Sequence, residues 1–311
     1  MATTNDLTAI PVRQAPAPGS NNLDHVAHFV PDSDAASVAL EHLGFTLTPF
    51  SPQSHRLDPQ GPLVPAGTGN RCVMLEAGYV EFLTPTGTTP VADQLRAAIR
   101  RYVGVHLIAF GTAAPDVDYA RLAEQGFQPT TPVALQRPIS TEHGEDTARF
   151  TVVRVPPGTM PEGRIQYCEH HTPHLVWQPR WVAHPNGATG LAGVVLCVAD
   201  AAEAAQRYSR FSAIPSLRIG AAWHIGTSRG TLTFVEPAVL ERTLAVVPPA
   251  LPWIAGYVLD TQDVGATREY LQRIGKSGAA LAAGRVSLRL PEALGGIVIF
   301  QPAGSGTLRF D

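Results

Sequence analysis

The sequence is poor in cysteine: Cys72, Cys168 and Cys197 are an odd, sparse set in 311 residues. Such a set argues against a disulfide framework and indicates a reducing compartment, so we expect a cytoplasmic protein. Continuous apolar runs of about 18 residues, the length that crosses a membrane, are missing, and no membrane segment is expected. The first residues also lack the basic start and apolar core of a signal peptide.

An excess of charge of either sign is missing too. The sequence has 23 basic and 26 acidic residues and a net charge of -3. The charges are interspersed rather than gathered into a basic face, so nucleic acid is not an expected partner. Hydrophobic residues make up 44% and charged residues 16%, a balance typical of folded chains.

Internal repetition is the strongest pattern that the sequence does contain. Each of four copies opens with a short apolar run, continues into a helical stretch, and closes with an apolar run that starts at glycine. Two further strand-like stretches precede each closing run, so each copy is predicted to be a β-α-β-β-β module. The opening runs are 23–30, 104–111, 191–198 and 254–260, and the closing runs are 78–85, 163–170, 230–237 and 295–302.

The predicted helices carry recognisable start and stop residues. They span 32–43, 115–125, 200–211 and 263–274. Asp32, Asp200 and Asp263 stand where an N-cap side chain would accept hydrogen bonds from free backbone N–H groups. Gly44 and Gly126 follow the first two helices, where a left-handed C-cap is favourable.

The connections between copies predict the domain organisation. Residues 1–22 are expected to be a flexible tail. The first two modules form an N-terminal unit over 23–185, and the last two form a C-terminal unit over 186–311. Residues 91–102 are predicted to be a linking helix, and a segment rich in Pro, Trp and His (172–190) is expected to connect the halves.

Four βαβββ modules paired into two half-barrel units resemble the vicinal oxygen chelate superfamily, the group that includes glyoxalase I and the extradiol ring-cleaving dioxygenases. The resemblance covers about 23–302, and GTGNRCVMLEAGYVEFL (67–83) after LDHVAHFV is similar to the glyoxalase-like branch. It implies an α+β fold of the glyoxalase/bleomycin-resistance/dioxygenase type.

The resemblance also implies a metal site, because the family takes its ligands from the first and last strands of paired modules. The matching residues are His25 in LDHVAHFV, Glu81 in GYVEFL and His106 in GVHLIAFG. The metal would be divalent, with Fe, Mn, Ni, Co or Zn as candidates. Aligning the closing runs on their glycines places Gln166 opposite Glu81, as a fourth ligand or a substrate contact.

The second half has no comparable residues at the matching positions. Gly193, Thr233, Gly256 and Ile299 stand there, and none is a good ligand for a catalytic divalent metal. The C-terminal unit is therefore expected to be a non-binding copy that supports the first. Extradiol dioxygenases place their metal in the C-terminal pair of modules, so this chain departs from them.

The chemistry of the residues supports the same site independently. Alternation along a strand places His25, Ala27 and Phe29 on one face, and Tyr79 and Glu81 on one face of theirs. A glutamate inside an apolar strand is costly to bury unless it is paired or bound to a metal. Two imidazoles and one carboxylate leave coordination positions open for a substrate, where a metal can polarise a carbonyl.

Several other residues allow two interpretations. Asn70 could contact a substrate or make a turn, and His170 could face the site beyond Gln166 or belong to the connector. Arg154 could hold an acidic substrate or form a surface salt bridge. Cys168 is expected to be a buried packing residue rather than a nucleophile.

Three functions remain open on this reasoning. The first is a metal-dependent, glyoxalase-like isomerase or lyase acting on a small oxygenated substrate that bears a carbonyl. The second is a metal-free binding or resistance protein on the same scaffold, and the third is an extradiol-type dioxygenase. In each case the expected partner is a small molecule, with a homodimer as the expected assembly if the chain associates.

Overall fold

The computed structural model describes residues 9–10, 13–56 and 61–311. Within these ranges the chain forms sixteen strands, joined in one sheet, and seven α-helices. The mixed α/β architecture of four βαβββ modules agrees with the fold class that the sequence predicts. In the described part of the chain no helix is both long and apolar enough to span a membrane.

The first two modules make the N-terminal half, and helix α2 joins them. The elements of the first module are β1 (Asn22–Phe29), α1 (Ser33–His42), β2 (Ser51–Arg56), β3 (Leu63–Met74) and β4 (Tyr79–Pro85). Helix α2 (Pro90–Arg101) then leads to β5 (Gly104–Gly111), α3 (Pro115–Glu124), β6 (Val133–Thr141), β7 (Gly144–Arg154) and β8 (Arg164–His170).

The last two modules repeat this order, after a connector that contains the short helix α4 (Pro173–Val176). The third module consists of β9 (Ala188–Cys197), α5 (Ala201–Ser212), β10 (Leu217–Ile219), β11 (Ala222–Gly226) and β12 (Thr231–Val235). Helix α6 (Pro237–Leu244) leads to β13 (Trp253–Thr261), α7 (Val264–Arg273), β14 (Ala279–Ala280), β15 (Val286–Arg289) and β16 (Ile297–Pro302).

Strand pairing is the same in every module. The first strand pairs in parallel with the last, and the remaining two strands follow in antiparallel order. Modules join in pairs through their first strands, β1 with β5 and β9 with β13, both antiparallel. A pairing between Val105 and Ile254 connects the two halves into one sheet, and a bridge between Ala77 and Gly190 adds a second backbone link between them. The boundary near residue 185 stays a prediction.

The predicted helix ends are confirmed. Asp32 accepts hydrogen bonds from the backbone N–H groups of Asp34 and Ala35 at 2.8 and 3.1 Å. Asp200 accepts one from Glu203 at 2.9 Å. Gly44 follows α1 with a φ of 81°, a left-handed conformation that glycine adopts without a steric penalty.

The four module helices pack on the outer faces of both half-barrels and bury one continuous core. Leu40, Leu122, Tyr208 and Leu271, one from each of these helices, are at most 1% exposed and belong to this core. The inner faces of the two half-barrels form separate clusters. Each half therefore has an interior of its own, where a site can form without disturbing the shared core.

Two features differ from the sequence-based expectation. The described residues of the expected flexible tail are packed: Ile10 is 1% exposed, and Gln14 donates to the Glu76 carbonyl (2.8 Å) and accepts from the Gly78 N–H (3.0 Å). The pattern of 1–22 is polar and aperiodic, and it does not reveal that one amide side chain anchors it. Helix α6 was also not predicted, although it repeats the position of α2.

Candidate metal centre

The interior of the first half-barrel places His25 and Glu81 on one face. Strands β1 and β4 run parallel, with His25 opposite Tyr79 and Ala27 opposite Glu81. Since alternate residues share a face, His25, Ala27, Tyr79 and Glu81 all point inward. His25 is 4% exposed and Glu81 is 7% exposed. The strand alternation read from the sequence therefore places these two side chains in the same interior. The backbone pairs to which they belong, His25 with Tyr79 and Ala27 with Glu81, are two positions apart along the strands.

A β-bulge at Asp24 adds a carboxylate to this interior. The register between β1 and β5 passes from Leu23 opposite Phe110 to His25 opposite Ala109, so Asp24 has no partner of its own. A bulged residue redirects its side chain, and bulges are frequent next to active sites. One Asp24 oxygen, Oδ2, lies 2.6 Å from Nδ1 of His25 and 3.0 Å from Nε2 of His170.

The Asp24 carboxylate is held as an anion by these two imidazoles. Asp24 is fully buried, and burial alone would raise its pKa. Attraction and hydrogen bonding from His170 and His25 outweigh that effect and hold the pKa of Asp24 well below its ordinary value. Asp24 Oδ1 and His170 Nδ1 are also buried, and neither has a hydrogen-bond partner among the described residues.

Aromatic rings close the Asp24 end of the interior. The ring of His25 stacks on Tyr79 with centroids 4.4 Å apart. The ring of His170 lies edge-on to Trp177 at 4.7 Å and to Phe150 at 5.1 Å. Trp177 comes from the connector between the halves, so this segment covers the cluster. Such packing excludes water and strengthens electrostatic interactions inside.

Asp24, His25 and His170 form a donor set that suits a divalent metal. One potential ligand atom from each lies within 4.8 Å of the others, and the described residues contain no second group of this kind. Two imidazoles and one carboxylate bind first-row metals and leave positions open. The unpartnered Asp24 Oδ1 is a further oxygen available for coordination. The chemistry of the residues therefore fits the metal that the sequence led us to expect.

His106 lies apart from this cluster. It is the extra residue of a second bulge, since Ala27 is opposite Leu107 and His28 is opposite Val105. Its ring stacks on Tyr102 at 4.0 Å and on Phe29 at 5.3 Å. The structure brings His106 together with neither His25 nor Glu81 as a metal-binding group among the described residues.

The environment of His106 explains its separate position. Its Nε2 donates to the Tyr102 carbonyl at 2.8 Å, and burial lowers its pKa to about 4, although this hydrogen bond acts in the opposite direction. The number of residues between each histidine and the next inward alanine indicates why His106 does not take the place that matches His25. Ala27 and Ala109 both face the interior, but Ala27 follows His25 by two residues and Ala109 follows His106 by three. Leu107, not His106, therefore occupies the position that matches His25.

Glu81 and Asn70 form a pair on the wall opposite the second module. Asn70 Nδ2 donates a short hydrogen bond to Glu81 Oε1, and Gln53 Nε2 approaches the same oxygen at 3.4 Å. Asn70 lies within β3 and is 3% exposed, so it does not make a turn. Its Oδ1 is buried without a partner in the described part of the chain.

Gln166 occupies the position that corresponds to Glu81 in the second module. It lies opposite Ala109, as Glu81 lies opposite Ala27. Its Oε1 accepts a hydrogen bond from Arg154 Nε at 3.2 Å. Arg154 therefore faces the interior instead of forming the surface salt bridge that the sequence also allowed. Cys168, two residues further on, is buried, and burial raises the pKa of its thiol well above the ordinary value.

The second half-barrel carries no equivalent set within the described residues. Gly193 lies opposite Thr231 and Thr233 opposite Val195, the register of His25 and Glu81 in the first module. In the fourth module Gly256 and Ile299 hold the corresponding places. The interior there contains one imidazole, His224, whose Nδ1 lies 3.1 Å from Thr233 Oγ1.

Asp24 and the arginines Arg154 and Arg164 are the residues of this interior that sequence reasoning missed or left undecided. Asp24 immediately precedes His25 in LDHVAHFV, and strict alternation assigns it to the opposite face. The register of β1 alone does not reveal a bulge, which depends on the partner strand. His170, which the sequence offers as a substrate contact, lies within hydrogen-bond distance of Asp24.

Solved structures with the same fold are similar to nearly the whole chain. A hypothetical protein from Staphylococcus aureus matches with a TM-score of 0.61 at 10% identity, covering 91% of this chain and 99% of that one. A triple mutant of 4-hydroxymandelate synthase from Streptomyces coelicolor matches with a TM-score of 0.58 at 14% identity, covering 94% and 95%.

A third structure, a fusion protein of a xylose isomerase-like TIM barrel and 4-hydroxyphenylpyruvate dioxygenase, has a TM-score of 0.54 at 12% identity. It covers 95% of this chain, which spans 51% of that one. At such identities these likenesses establish the fold alone. No curated protein matches the sequence.

The family model described as a glyoxalase-like domain matches residues 23–212. That range includes both modules of the first half-barrel and extends through helix α5 of the third. It contains every residue of the Asp24 cluster and of the Glu81 wall. The chain therefore belongs to the glyoxalase-like domain family, on the vicinal oxygen chelate fold.

Proposed function

We propose that this protein is a metal-dependent, glyoxalase-like enzyme of the isomerase or lyase type, which acts on a small oxygenated substrate inside its first half-barrel. The observation that carries the proposal is the convergence of Asp24, His25 and His170, which come from two different modules, on one buried point. Asp24, His25 and His170 would hold the divalent metal, for which Fe, Mn, Ni, Co and Zn are the candidates.

The arginines of the second module favour the Asp24 end of the interior over the Glu81 end for a cation. Burial lowers the pKa of Arg154 and of Arg164, and the negative charge of Glu81 acts on both in the opposite direction. Glu81 thus already faces two guanidinium groups. A divalent cation beside it would meet their repulsion, whereas the side chains in contact with Asp24 are the imidazoles of His25 and His170, and the Arg229 guanidinium acts on it without an ion pair.

When bound, the metal would act as a Lewis acid and polarise a substrate carbonyl. The chain itself would supply orientation and proton transfer. Asp24 positions the imidazole of His25 through Nδ1. Glu81 is the interior carboxylate available to accept a proton at Oε1, with Asn70 Nδ2 holding that oxygen in place. Gln166 cannot accept a proton, so we assign the role of base to Glu81 alone.

Metal analysis tests the proposal directly. The purified protein, dialysed against each candidate metal and then against buffer, should retain it stoichiometrically by inductively coupled plasma mass spectrometry. Asp24→Asn, His25→Ala and His170→Ala should each lose it. His224→Ala removes a buried imidazole of the second half-barrel and is the matched control that should retain it. The absence of retained metal, or equal loss in the control, would contradict the proposal.

His106→Ala distinguishes the two candidate ligand sets. The set His25, Glu81 and His106 requires His106 to leave the Tyr102 carbonyl, and it predicts loss of metal in His106→Ala and Glu81→Gln. The set around Asp24 predicts that both variants keep their metal. Glu81→Gln should then lose turnover while metal content stays unchanged, because the base is gone and the ligands remain.

A metal-free binding or resistance protein is the second candidate, and one observation favours it. The distances of 2.6 and 3.0 Å within the cluster are hydrogen-bond distances, at which the imidazoles alone satisfy Asp24 Oδ2. Ligand binding that survives removal of metal by chelation, together with no loss in His25→Ala, would support this function. Oxygen uptake with a catechol and ferrous iron would instead support the extradiol-type alternative.

A further inference from the structure

Two arginines point into the first half-barrel without a carboxylate partner among the described residues. Arg154 Nε donates to Gln166 Oε1 at 3.2 Å. Arg164 Nη2 lies 3.5 Å from Gln94 Oε1, and its guanidinium lies 5.8 Å from the centre of the Phe29 ring. In the described chain the arginines that form ion pairs are Arg96, Arg121 and Arg207.

The backbone register places both guanidinium stems on the inner face. Arg154 lies opposite Gln166 at the end of β7, two residues after Val152, which belongs to the interior cluster. Arg164 precedes Gln166 by two residues on β8, and it therefore shares its face. Two like charges thus meet at one end of the interior, on the wall that faces Glu81 and Asn70.

Burying these charges without a carboxylate in direct contact is unfavourable. Burial lowers the pKa of Arg164 to about 10, and repulsion from Arg154 adds to the effect. Arg207 is a contrast within the same chain. Burial acts against its charge too, but the hydrogen bonds that Arg207 donates to Glu162 and Glu203 raise its pKa overall. The fold compensates Arg207 with carboxylates in direct contact, whereas the interior pair makes no ion pair within the described residues and has only the charge of Glu81 acting on it from the opposite wall.

We propose that Arg154 and Arg164 form a recognition site for the carboxylate of a small organic acid inside the first half-barrel. Planar guanidinium groups pair with planar carboxylates through two parallel hydrogen bonds, which gives orientation as well as affinity. The identification of this acid as the substrate rests on the proposed function. Its binding needs only the arginines.

The opposite wall indicates what else the acid carries. Asn70 Oδ1 is a buried acceptor without a partner among the described residues, so it can receive a hydroxyl or amine proton from the ligand. Between the two polar walls lie apolar side chains, including Phe29, Leu83 and Leu107, which suit a hydrocarbon or ring body. The site therefore fits an acid with an apolar body and a hydrogen-bond donor away from the carboxylate.

The length of the strand sets the shape of a ligand that also reaches the Asp24 cluster. Gln166, beside Arg154, and His170 are four residues apart on β8, which corresponds to about 13 Å between their backbones. Arginine side chains shorten the gap from one end. A ligand that touches both groups must be elongated along the strand, with its carboxylate far from the metal.

Isothermal titration of the full chain with benzoate tests this site. Benzamide has the same shape without the charge, and inorganic phosphate is an anion of different geometry. Charge-assisted hydrogen bonds contribute about 1.5 to 3 kcal/mol, so Arg154→Gln and Arg164→Gln should each weaken benzoate binding about 10- to 100-fold. Arg218→Gln changes an exposed arginine of the second half and should leave binding unaltered. Benzamide should not bind measurably.

Several outcomes would overturn the inference. They are no benzoate binding to the unsubstituted protein, with or without added Zn²⁺, and benzoate binding that both glutamine variants retain. Tighter binding of phosphate than of benzoate would overturn the assignment to carboxylates. If Arg154→Gln fails to fold, Arg154→Lys keeps the charge but loses the planar pairing, and it should still weaken binding.

Titrations of protein treated with EDTA separate this inference from the proposed function. Arginine-dependent benzoate binding in a chain that never retains metal would leave the acid site standing and remove the metal enzyme. Stoichiometric metal without benzoate binding would do the reverse.

Discussion

The two half-barrels have the same skeleton and opposite interiors. In the first, the equivalent inward positions of the last strands carry Glu81 and Gln166, and in the second they carry Thr233 and Ile299. A bulge in the first strand of the first half holds Asp24, while the matching bulge in β9 holds Ala192. Both halves therefore have a β-bulge at this position of their first strand, but only the bulge of the first half carries a charged side chain.

The second interior is filled by the chain itself. Val195, Val258 and Ile297 form its apolar cluster together with Phe310 near the C-terminus. The terminal segment is fixed there by a hydrogen bond from the Ala221 N–H to the Phe310 carbonyl at 2.8 Å.

The buried arginine of the second half, Arg285, donates to Gln301 Oε1 at 2.9 Å, and Gln301 in turn donates to Asp260 at 2.8 Å. The comparison teaches that the second half satisfies its buried arginine within the chain, whereas the first leaves Asp24 Oδ1 and Asn70 Oδ1 without a partner among the described residues.

The largest effect should come from opening the second interior. Phe310 is fully buried, and Phe310→Ala should cost about 4 kcal/mol of the free energy of unfolding, because it removes packed atoms and leaves a cavity. Chemical denaturation measures the change, and Phe310→Leu should cost less. Metal retention at low temperature should be unchanged. Loss of metal in a folded Phe310→Ala protein would show that the halves are not independent.

Exchanging the residue types at the equivalent positions Thr233 and Glu81 tests whether the two interiors differ in their tolerance of a carboxylate. Thr233→Glu puts a carboxylate at a buried position beside His224, and should cost about 3 kcal/mol of unfolding free energy. Glu81→Thr, its counterpart, should cost about 1 to 2 kcal/mol, since the hydrogen bonds from Asn70 and Gln53 are lost together with the attraction of Glu81 for Arg154 and Arg164. Equal costs in the two denaturation curves would contradict the difference between the interiors.

The connector should respond to acid. His184 Nε2 donates to the Met74 carbonyl at 2.8 Å, and its Nδ1 accepts from the Thr46 N–H at 3.0 Å. Burial lowers its pKa from 6.5 to about 4, although the bond to Met74 acts in the opposite direction. The unfolded chain therefore binds the proton first, and this contribution is complete above pH 6.5 and lost as the pH falls toward 4.

The expected loss at His184 is about 2 kcal/mol between pH 7 and pH 4.5, allowing for its partial exposure. The measurement is the difference between the unsubstituted protein and His184→Gln in denaturation midpoint across this range. Glutamine keeps a donor and an acceptor but does not titrate in this range. Parallel profiles for the two proteins would show that His184 does not anchor the connector in its neutral form.

The smallest expected loss of stability comes from the helix N-caps, where the two halves should behave alike. Asp32 caps α1 in the first half, and Asp200 caps α5 in the second. Alanine at either position should cost about 1 kcal/mol, because backbone N–H groups lose their acceptor. Denaturation of the two variants should give similar losses. A large difference would mean that the equivalence of the two skeletons does not extend to their energetics.

Much of the fold could be predicted because its signals are local. The four opening strands, the module helices and the caps at Asp32, Asp200 and Asp263 follow from periodicity and side-chain chemistry within a few residues. The equivalence of Gln166 and Glu81 in their two modules could also be predicted, since it depends only on the glycine at the start of each closing strand. These patterns repeat, and repetition made them visible.

The candidate site depended on what is not local. The bulges at Asp24 and His106 exist only in the pairing of β1 with β5, and each changes which side chain faces the interior. Arg164 has no sequence context that separates an inward arginine from a surface one. Its inward position becomes evident only in the structure, where it lies on the same wall as Arg154 and Gln166.

The most direct test of the account is the position of a bound metal in a crystal. Crystals grown with Co²⁺ or Zn²⁺ should give an anomalous-scattering peak at bonding distance from Asp24, His25 and His170, with none in the second half-barrel. A peak shared by His25, Glu81 and His106, or a peak among the side chains around Thr233, would contradict the account.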